Sequence, residues 1–499
     1  MLELGNTFLQ PRVLAAAARD AGPVHLHPQA WTRIAAAHAA LERLAGEGGA
    51  IYGVSTGLGA VADTRVPPGG SDAQVRVVLA RMVGVGAPAT PEQVRAVMLA
   101  RLAGFAVGHA GVSPGIVRAY AGMLNAGVLP VMPLTGSVGE ADLAPLAHVA
   151  GVLAGAGMAG FGGEMLLAPE ALRRAGLEVP PFGLKDGLAL VSSNACSAGL
   201  GALAVADAER LAGAWLAACA LSFEAWRGNL APLHPDAVAL RPAPGEAGVA
   251  AALRALLAGG ELDRPGASRR LQDPLSLRCA APVLAACLTA LGRATEAVAL
   301  ELNSSDDNPA VLEDRVQPNA AFDSTHLVLA FETLGLAGAR VAAAQGSRIL
   351  KLMSAASSGL PRFLSPVQEG RSGLAPLQKT AAALVAEIGH GAAPMPALVL
   401  AAADGVEDYA TMAVSAVRNT ANLLARLRLL CAVELLVAAQ ACDLRGGVRL
   451  APGAAAVHAA VRGCVPMLWE DRPVAPDLQA LDALIASGQF DGCATGLFA

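Results

Sequence analysis

The residues most suited to chemistry in this chain lie in short polar stretches between long runs of Ala, Leu and Val. Glu140 and Asp142 follow the loop 136–139, Gly-Ser-Val-Gly, and precede an apolar segment with helical spacing. Carboxylates in this position stabilise the first turn of a helix by capping and by interaction with its dipole. Alternatively, a carboxylate beside a glycine loop holds a cation or relays a proton in a cleft, because glycine allows a ligand to approach the backbone closely. Both interpretations stay open for Glu140.

Tyr52 is a candidate for a hydroxyl that is exposed in a cleft. It is one of only three tyrosines and lies in the Gly-, Ser- and Thr-rich loop 52–59. A phenol has an ordinary pKa of about 10, so it acts as a base near neutral pH only where a neighbouring cation or hydrogen-bond donor lowers the pKa. Arg81 and Lys379 are the cations that the sequence offers. The alternative is a structural phenol on a glycine loop.

Arg278 and Lys379 are candidates for binding anions. The planar guanidinium of arginine suits a carboxylate through two parallel hydrogen bonds, and Arg278 is a candidate for such binding. Its alternative role is a structural ion pair with Asp273 or Asp307. Lys379 is one of three lysines, and its side chain is a candidate for protonating a leaving group or binding an anion. The alternative is a solvated surface lysine.

The elements that must position these residues are helices. Long Ala- and Leu-rich segments with almost no alternation of period two predict an all-α protein. We expect an N-terminal helical region with active-site loops over residues 1–197, an elongated central bundle of long helices over 198–441, and short helices over 442–499. One helix is predicted over residues 72–86, and it contains Arg81.

Composition excludes several functional classes. The net charge of −5 and the aromatic content of 3%, with no basic stripe, argue against nucleic-acid binding. The eight cysteines contain no C-x-x-C pair, so neither a metal site nor a disulfide framework is predicted. The apolar segments are interrupted by charges, Gly or Pro and predict no membrane helix. The start of the chain has no signal-peptide pattern, which predicts a cytoplasmic protein.

The polar motifs occur in the order seen in one enzyme family. The loop 52–59 resembles the family's Tyr-Gly-x-Asn-Thr-Gly-Phe-Gly, and segments 136–139 and 142–148 resemble the entry and exit of its cofactor loop. Further matches lie at 185–190, 272–274 with 276–279, 307–309, Gln378 with 380–384, and 407–408. The chain therefore resembles the histidine/phenylalanine ammonia-lyase family (aromatic amino acid lyases) over nearly its whole length. The resemblance implies an all-α homotetramer of the histidine/phenylalanine ammonia-lyase type, with active sites that take residues from three subunits.

The cofactor of that family is missing from the sequence. Family members close an internal Ala-Ser-Gly into methylidene-imidazolone (MIO), an electrophile that attacks the substrate, and their loop reads Gly-Ser-Val-Gly-Ala-Ser-Gly-Asp-Leu. Here Gly139 is followed by Glu140, Ala141 and Asp142. Without the serine that dehydrates and the glycine that cyclises, we expect no MIO, and we predict no other cofactor.

Other family positions are also changed. Ser192 replaces the asparagine that supports MIO, with Asn194 close by, Leu275 replaces a catalytic tyrosine, and Arg81 replaces a histidine. The family's Asn-Phe-His becomes 319–321, Asn-Ala-Ala. The resemblance implies that Tyr52 is the general base that takes the β-proton and that Arg278 binds the substrate carboxylate. It also implies that Glu387 is the acid at the amine or ring end of the pocket. Its alternative role, a buried partner of Lys379, requires a contact over eight helical positions, which is too far.

Together these arguments predict a site of eleven residues. The predicted catalytic residues are Tyr52, Glu140, Lys379 and Glu387. The predicted substrate-binding residues are Arg81, Ser192, Asn194, Leu275, Arg278, Asn319 and Gln378.

The function expected from these residues is MIO-independent elimination. We predict a carbon–nitrogen lyase that acts on a small substrate with a carboxylate and an amine or ammonium. A quaternary ammonium suits this chemistry because it leaves without the activation that ammonia requires. The alternatives are another reaction on the same scaffold, such as isomerisation, cyclisation or addition, and an inactive homologue that binds a ligand.

Overall fold

The computed structural model describes residues 1–66, 71–367, 370–396, 400–447 and 449–497. Most of these residues form α-helices, and the predicted all-α fold class is confirmed. The helices, in chain order, are α1 (Pro11–Asp20), α2 (Pro28–Gly46), α3 (Ser71–Leu79), α4 (Pro91–Val107), α5 (Pro114–Ala126), α6 (Leu143–Leu153), α7 (Ala168–Arg174), α8 (Asp186–Val191), α9 (Ala195–Trp226), α10 (Pro235–Ala239), α11 (Glu246–Leu257), α12 (Leu275–Arg278), α13 (Ala280–Leu302), α14 (Thr325–Met353), α15 (Ala355–Ser358), α16 (Leu377–Gly391), α17 (Ala413–Arg445), α18 (Pro452–Cys464) and α19 (Ala475–Ala486).

The strands are short and lie between helices. They are β1 (Leu2–Leu4), β2 (Val24–Leu26), β3 (Val85–Pro88), β4 (Leu129–Pro130), β5 (Pro133–Thr135), β6 (Met158–Phe161), β7 (Glu164–Leu167), β8 (Ala310–Val311) and β9 (Val316–Gln317). β1 pairs with β2 in parallel, whereas β3 with β5, β4 with β6, β6 with β7, and β8 with β9 are antiparallel. β5 leads directly into the glycine loop 136–139.

Local sequence explains where the helices begin and end. At the start of α4, Thr90 and Gln93 form a reciprocal capping box, and Pro91 occupies the first turn. The helix ends at Gly108, which has a φ of 97° and therefore adopts a left-handed conformation that glycine tolerates. The helix predicted over 72–86 is shorter, because α3 ends at Leu79 and residues 85–88 pair in β3.

The chain divides into two compact units, each built from segments that are distant in sequence. The first comprises Met1–Ala206, Thr295–Leu329 and Pro394–Arg418, and the second comprises Asp207–Ala294, Ala330–Ala393 and Asn419–Ala499. The division into regions 1–197, 198–441 and 442–499 stays a prediction.

The first unit contains a buried cluster of charged residues that includes Arg101 on α4. α4 is buried from Val94 to Ala106, and its Arg101 donates a hydrogen bond of 2.7 Å to Asp307. Burial disfavours the charge on Arg101, but Asp307 and Asp306 outweigh this effect and raise its pKa. α3 packs against α6 and α8, which brings the end of α3 close to the segment after the glycine loop.

The second unit has a separate polar network in its core. Glu434 on α17 accepts hydrogen bonds from Ser222 on α9 at 2.8 Å, from Gln345 at 3.0 Å and from Arg348 at 2.5 Å. All four side chains are buried. Buried polar groups with this degree of pairing specify how helices pack.

Three helical segments have the length and composition of membrane helices. They are Asp186–Trp226, Ala280–Leu302 and Thr325–Met353, and their most apolar windows are 100%, 50% and 44% buried, respectively. On length and composition, the expectation that no segment resembles a membrane helix is therefore wrong. That the protein has no membrane partner stays a prediction.

Candidate active site

A cavity of about 430 Å³ in the first unit brings together four residues selected from the sequence, which are Tyr52, Arg81, Glu140 and Ser192. It is lined by residues of α6 and α8 and by loop residues, including those that precede α14 and α17. Its other lining residues are Leu58, Gly59, Ala62, Ala141, Leu143, Leu188, Asn308, Ala320, Phe322, Asp323, Val406, Glu407, Asp408 and Tyr409.

Glu140 presents an unsatisfied carboxylate at this cavity. Its Oε1 atom is buried and has no hydrogen-bond partner among the described residues. Burial raises the pKa of Glu140 to about 7, and the negative charge of Asp323 adds to this, whereas the backbone N–H of Thr411 lowers it. The backbone of Glu140 forms an antiparallel bridge with Asp323. Glu140 therefore changes between acid and carboxylate close to neutral pH.

The loop that carries Glu140 is held by hydrogen bonds from two other segments. The Gly139 carbonyl accepts hydrogen bonds from Thr411 Oγ1 at 2.8 Å and Ser324 Oγ at 3.3 Å. The Met412 N–H donates to the Val138 carbonyl at 2.7 Å. Gly139 has a φ of 90°, so a glycine is required where these segments meet.

The capping interpretation is wrong for both acids of the loop. Asp142 occupies the N-cap position of α6, but its side chain makes no capping hydrogen bond there. Instead, its buried carboxylate accepts from the backbone N–H of Ser197 at 2.7 Å and from Ser197 Oγ at 2.9 Å. Burial raises the pKa of Asp142 to about 6. Asp142 thus stabilises the first turn of α9, and Glu140 caps no helix.

Tyr52 has a hydrogen-bond donor and a cation among its neighbours. Its Oη atom accepts a hydrogen bond from the Gly59 N–H at 3.1 Å, so its own O–H is not used in this contact. Arg81, which lies just after α3, is close enough to interact electrostatically with Tyr52 and Glu407. Burial lowers the pKa of Arg81, and these two groups oppose that effect.

Ser192 lines the cavity, whereas Asn194 and Asn319 form hydrogen bonds elsewhere in the first unit. Ser192 ends α8 and is buried. Asn194 donates from Nδ2 to Glu301 Oε2 at 3.0 Å, and burial raises the pKa of Glu301 to about 7. Asn319 donates to the Asp307 carbonyl at 3.0 Å. Neither Asn194 nor Asn319 lines the cavity.

Five predicted residues belong to the second unit and do not line this cavity, namely Leu275, Arg278, Gln378, Lys379 and Glu387. Leu275 is 62% exposed, and Lys379 is also exposed. Glu387 accepts a hydrogen bond from Arg426 at 2.9 Å on an exposed surface. The structure therefore does not place Glu387 in the cavity of its own chain.

The structural alternative for Arg278 is wrong among the described residues. Asp273 accepts hydrogen bonds from Trp226 Nε1 at 2.9 Å and from the Asn229 N–H at 2.6 Å. Asp307 is paired with Arg101. No described ion pair joins either acid to Arg278.

Sequence reasoning missed several lining residues. Asp323 and Tyr409 precede α14 and α17, and Tyr409 Oη lies 2.6 Å from Thr325 Oγ1. Glu407 appeared only as part of a family motif. Polar residues immediately before the longest helices were the signal that could have identified them.

The cavity is strongly acidic. Its described lining contains four carboxylates, those of Glu140, Asp323, Glu407 and Asp408, and one arginine, Arg81. Such a lining stabilises a cation in a partly desolvated space. The described residues contain no group of three or more His, Cys, Asp or Glu side chains arranged to hold a metal ion.

The residues at the family's cofactor position do not fit MIO. Glu140, Ala141 and Asp142 contain no side-chain hydroxyl that dehydration could remove. The Asp142 N–H is already bonded to the Ser193 carbonyl at 2.7 Å. No chemical step is therefore derived through this group.

Comparison with known proteins adds four relationships. The sequence profile of aromatic amino acid lyases matches residues 9–463. A histidine ammonia-lyase of Anaeromyxobacter sp. (strain K) is 38% identical over 497 residues, with 97% of each chain covered. The crystal structure of ergothionase from Treponema denticola, an ergothioneine degrading enzyme, is 29% identical with a TM-score of 0.92 and covers 98% and 99% of the two chains. The structure of tyrosine aminomutase from Streptomyces globisporus is 30% identical with a TM-score of 0.93. The match covers 99% of this chain and 98% of the aminomutase chain.

Proposed function

This chain belongs to the aromatic amino acid lyase family, and we propose that it is a carbon–nitrogen lyase that works without an MIO electrophile. The proposed reaction is β-elimination of an amine or quaternary ammonium from an amino-acid-type substrate.

The observation that carries this proposal is the set of carboxylates around Tyr52. Where family members have an electrophile, this chain has Glu140 with a buried, unpartnered oxygen. A carboxylate cannot attack the substrate as an electrophile, but it attracts an ammonium group. Asp323 and Glu407 line the same cavity and add to that attraction.

In the proposed step, Tyr52 removes the β-proton. The electrons of the Cβ–H bond form the Cα=Cβ bond, and the Cα–N bond breaks with its electron pair on nitrogen. A quaternary ammonium then leaves as a neutral tertiary amine without protonation. This is why such a substrate suits a site that lacks the family's electrophile.

Similarity to ergothionase supports this proposal. That protein degrades ergothioneine, and its chain aligns with almost all of this one. The carboxylate-lined cavity of this chain supports a cationic leaving group independently of that likeness.

We further propose that residues of the second unit complete the site from neighbouring subunits of a cytoplasmic homotetramer. Arg278, Gln378, Lys379 and Glu387 do not line the cavity of their own chain, although the family resemblance implies roles for them. Sharing of sites between subunits would reconcile both observations.

Isomerisation is the second candidate, because two aminomutases align with this chain at TM-scores of 0.93. An aminomutase returns the amine to the neighbouring carbon. A free amine and an acrylate would therefore not accumulate in equal amounts.

A substrate panel with an intact-mass measurement tests the proposal. The purified chain is incubated with amino acids and their N-trimethyl counterparts, and the amine and α,β-unsaturated acid are quantified. We expect equal amounts of both products from at least one substrate, and an intact mass that matches the sequence. If no member of the panel releases an amine, the lyase proposal is contradicted. A mass deficit of two waters would contradict MIO independence.

A further inference from the structure

Arg81 is the only cation among the described residues that line the active-site cavity. We infer that Arg81 binds the substrate carboxylate within the same subunit that supplies Tyr52 and Glu140. This inference rests on the proposed function and specifies the substrate class as a zwitterion. It also assigns to Arg81 the role that the sequence suggested for Arg278.

Arg81 is anchored at the end of α3. Its backbone N–H donates to the Val78 carbonyl at 3.0 Å, and its Nη1 atom donates to the Val77 carbonyl at 3.0 Å. A guanidinium has five N–H donors, and the described residues give the Arg81 side chain no other hydrogen bond. The side chain therefore has donors available for the paired oxygens of a carboxylate.

The protein does not fully compensate the charge of Arg81. The side chain is half-buried, and burial lowers its pKa although Tyr52 and Glu407 oppose this effect. A carboxylate ligand would supply the missing negative charge in a partly desolvated space.

The cavity offers each end of a zwitterion a partner of opposite charge. Arg81 and the carboxylates of Glu140, Asp323 and Glu407 line the same cavity. An α-amino acid carries its carboxylate and its ammonium on one carbon. With the carboxylate on Arg81 and the ammonium toward Glu140, the substrate would lie beside Tyr52.

Binding of two small quaternary ammonium compounds tests the inference without any reaction. Glycine betaine has a carboxylate and a quaternary ammonium but no β-hydrogen, so it cannot be eliminated. Choline has the same ammonium and no carboxylate. By calorimetry, we expect the wild-type chain to bind glycine betaine roughly tenfold to a hundredfold more tightly than choline, as for hydrogen bonds between charged groups.

Variants at Arg81 and at a matched arginine complete the test. Arg81→Gln should remove the preference for glycine betaine and leave choline binding within about twofold, which also shows an intact cavity. Arg81→Lys should keep part of the preference. Arg76→Gln, in the helix that precedes Arg81 but outside this cavity, should keep all of it.

Two outcomes would overturn the inference. One is an unchanged preference in Arg81→Gln, and the other is loss of the preference in Arg278→Gln but not in Arg81→Gln. Because glycine betaine cannot react, these outcomes are independent of amine release. Failure of the proposed elimination is therefore distinguishable from failure of this inference.

Discussion

Tyr52 is the residue on which the proposed elimination depends most directly. Its Oη atom accepts from the Gly59 N–H, and Arg81 lies close to it. Tyr52→Phe removes the hydroxyl and keeps the ring, so substrate affinity should change little. We expect kcat to fall by roughly 10²–10⁴-fold, as for loss of a general base, in a steady-state assay of amine release.

Tyr409→Phe provides the comparison for this variant. Tyr409 lines the same cavity, but its hydroxyl is bonded to Thr325 Oγ1. Removal of the Tyr409 hydroxyl should reduce kcat far less than removal of the Tyr52 hydroxyl. Equal losses in the two variants, or full activity in Tyr52→Phe, would show that Tyr52 is not the base.

Glu140 makes cation binding dependent on pH. Its pKa is raised to about 7, so the carboxylate form is a minority at pH 6 and predominates at pH 8. Tetramethylammonium has a permanent charge and does not itself titrate. We expect its affinity to rise roughly tenfold between pH 6 and pH 8, measured by calorimetry.

Glu140→Gln is the control for the pH effect. The variant has no titrating group at this position, so its affinity for tetramethylammonium should be low and nearly constant over the same range. A pH dependence equal to that of the wild type would show that another group controls cation binding.

At the residue scale, motif order predicted part of the cavity. Tyr52, Arg81, Glu140 and Ser192 do line one cavity, although they come from separate loops. Phe322, Asp323 and Tyr409 were missed because their proximity to Glu140 depends on contacts across about 180 to 270 positions, which no local pattern encodes.

At the scale of elements, the glycine loop 136–139 is held by hydrogen bonds from the segments that precede α14 and α17. A Cβ atom at Gly139 would overlap Thr411 Oγ1 and lie 2.5 Å from the Ala413 nitrogen. Gly139→Ala should therefore lower the free energy of unfolding by roughly 3 kcal/mol or more, from strain and overpacking together. The measurement is denaturant unfolding followed by circular dichroism.

Gly127→Ala separates the steric effect from backbone strain. Gly127 also has a positive φ, 74°, but a Cβ atom there meets nothing within 4 Å. This variant should lose only about 1 kcal/mol and keep its activity. Similar losses of unfolding free energy in both variants would show that the segments before α14 and α17 do not constrain the loop.

The helices themselves were predictable to differing degrees. The long Ala- and Leu-rich segments predicted long helices, and α9, α13 and α14 are such helices, because apolar residues at helical spacing over many positions favour a helix. α3 was predicted too long, since its sequence continues with apolar residues that instead pair in β3. Arg81 consequently lies in a turn and not within a helix.

At the scale of the whole molecule, the division of site residues between two units predicts complementation. If sites are shared, Tyr52→Phe and Lys379→Met each inactivate a site through a different subunit. Co-expression should then restore about a quarter of wild-type activity, because one site in four receives both intact residues by random assembly. Each variant expressed alone is the control, and the absence of recovery would contradict shared sites.

The central claim is that an acidic cavity around Tyr52 eliminates a cationic leaving group without an electrophile. The most direct measurement is kcat/KM for a single amino acid and its N-trimethyl counterpart with the same side chain, both determined by amine release. The account predicts turnover of the trimethylated substrate and no measurable release of ammonia from the primary amine. Equal or faster turnover of the primary amine would contradict it, because ammonia would then leave without the help that this site lacks.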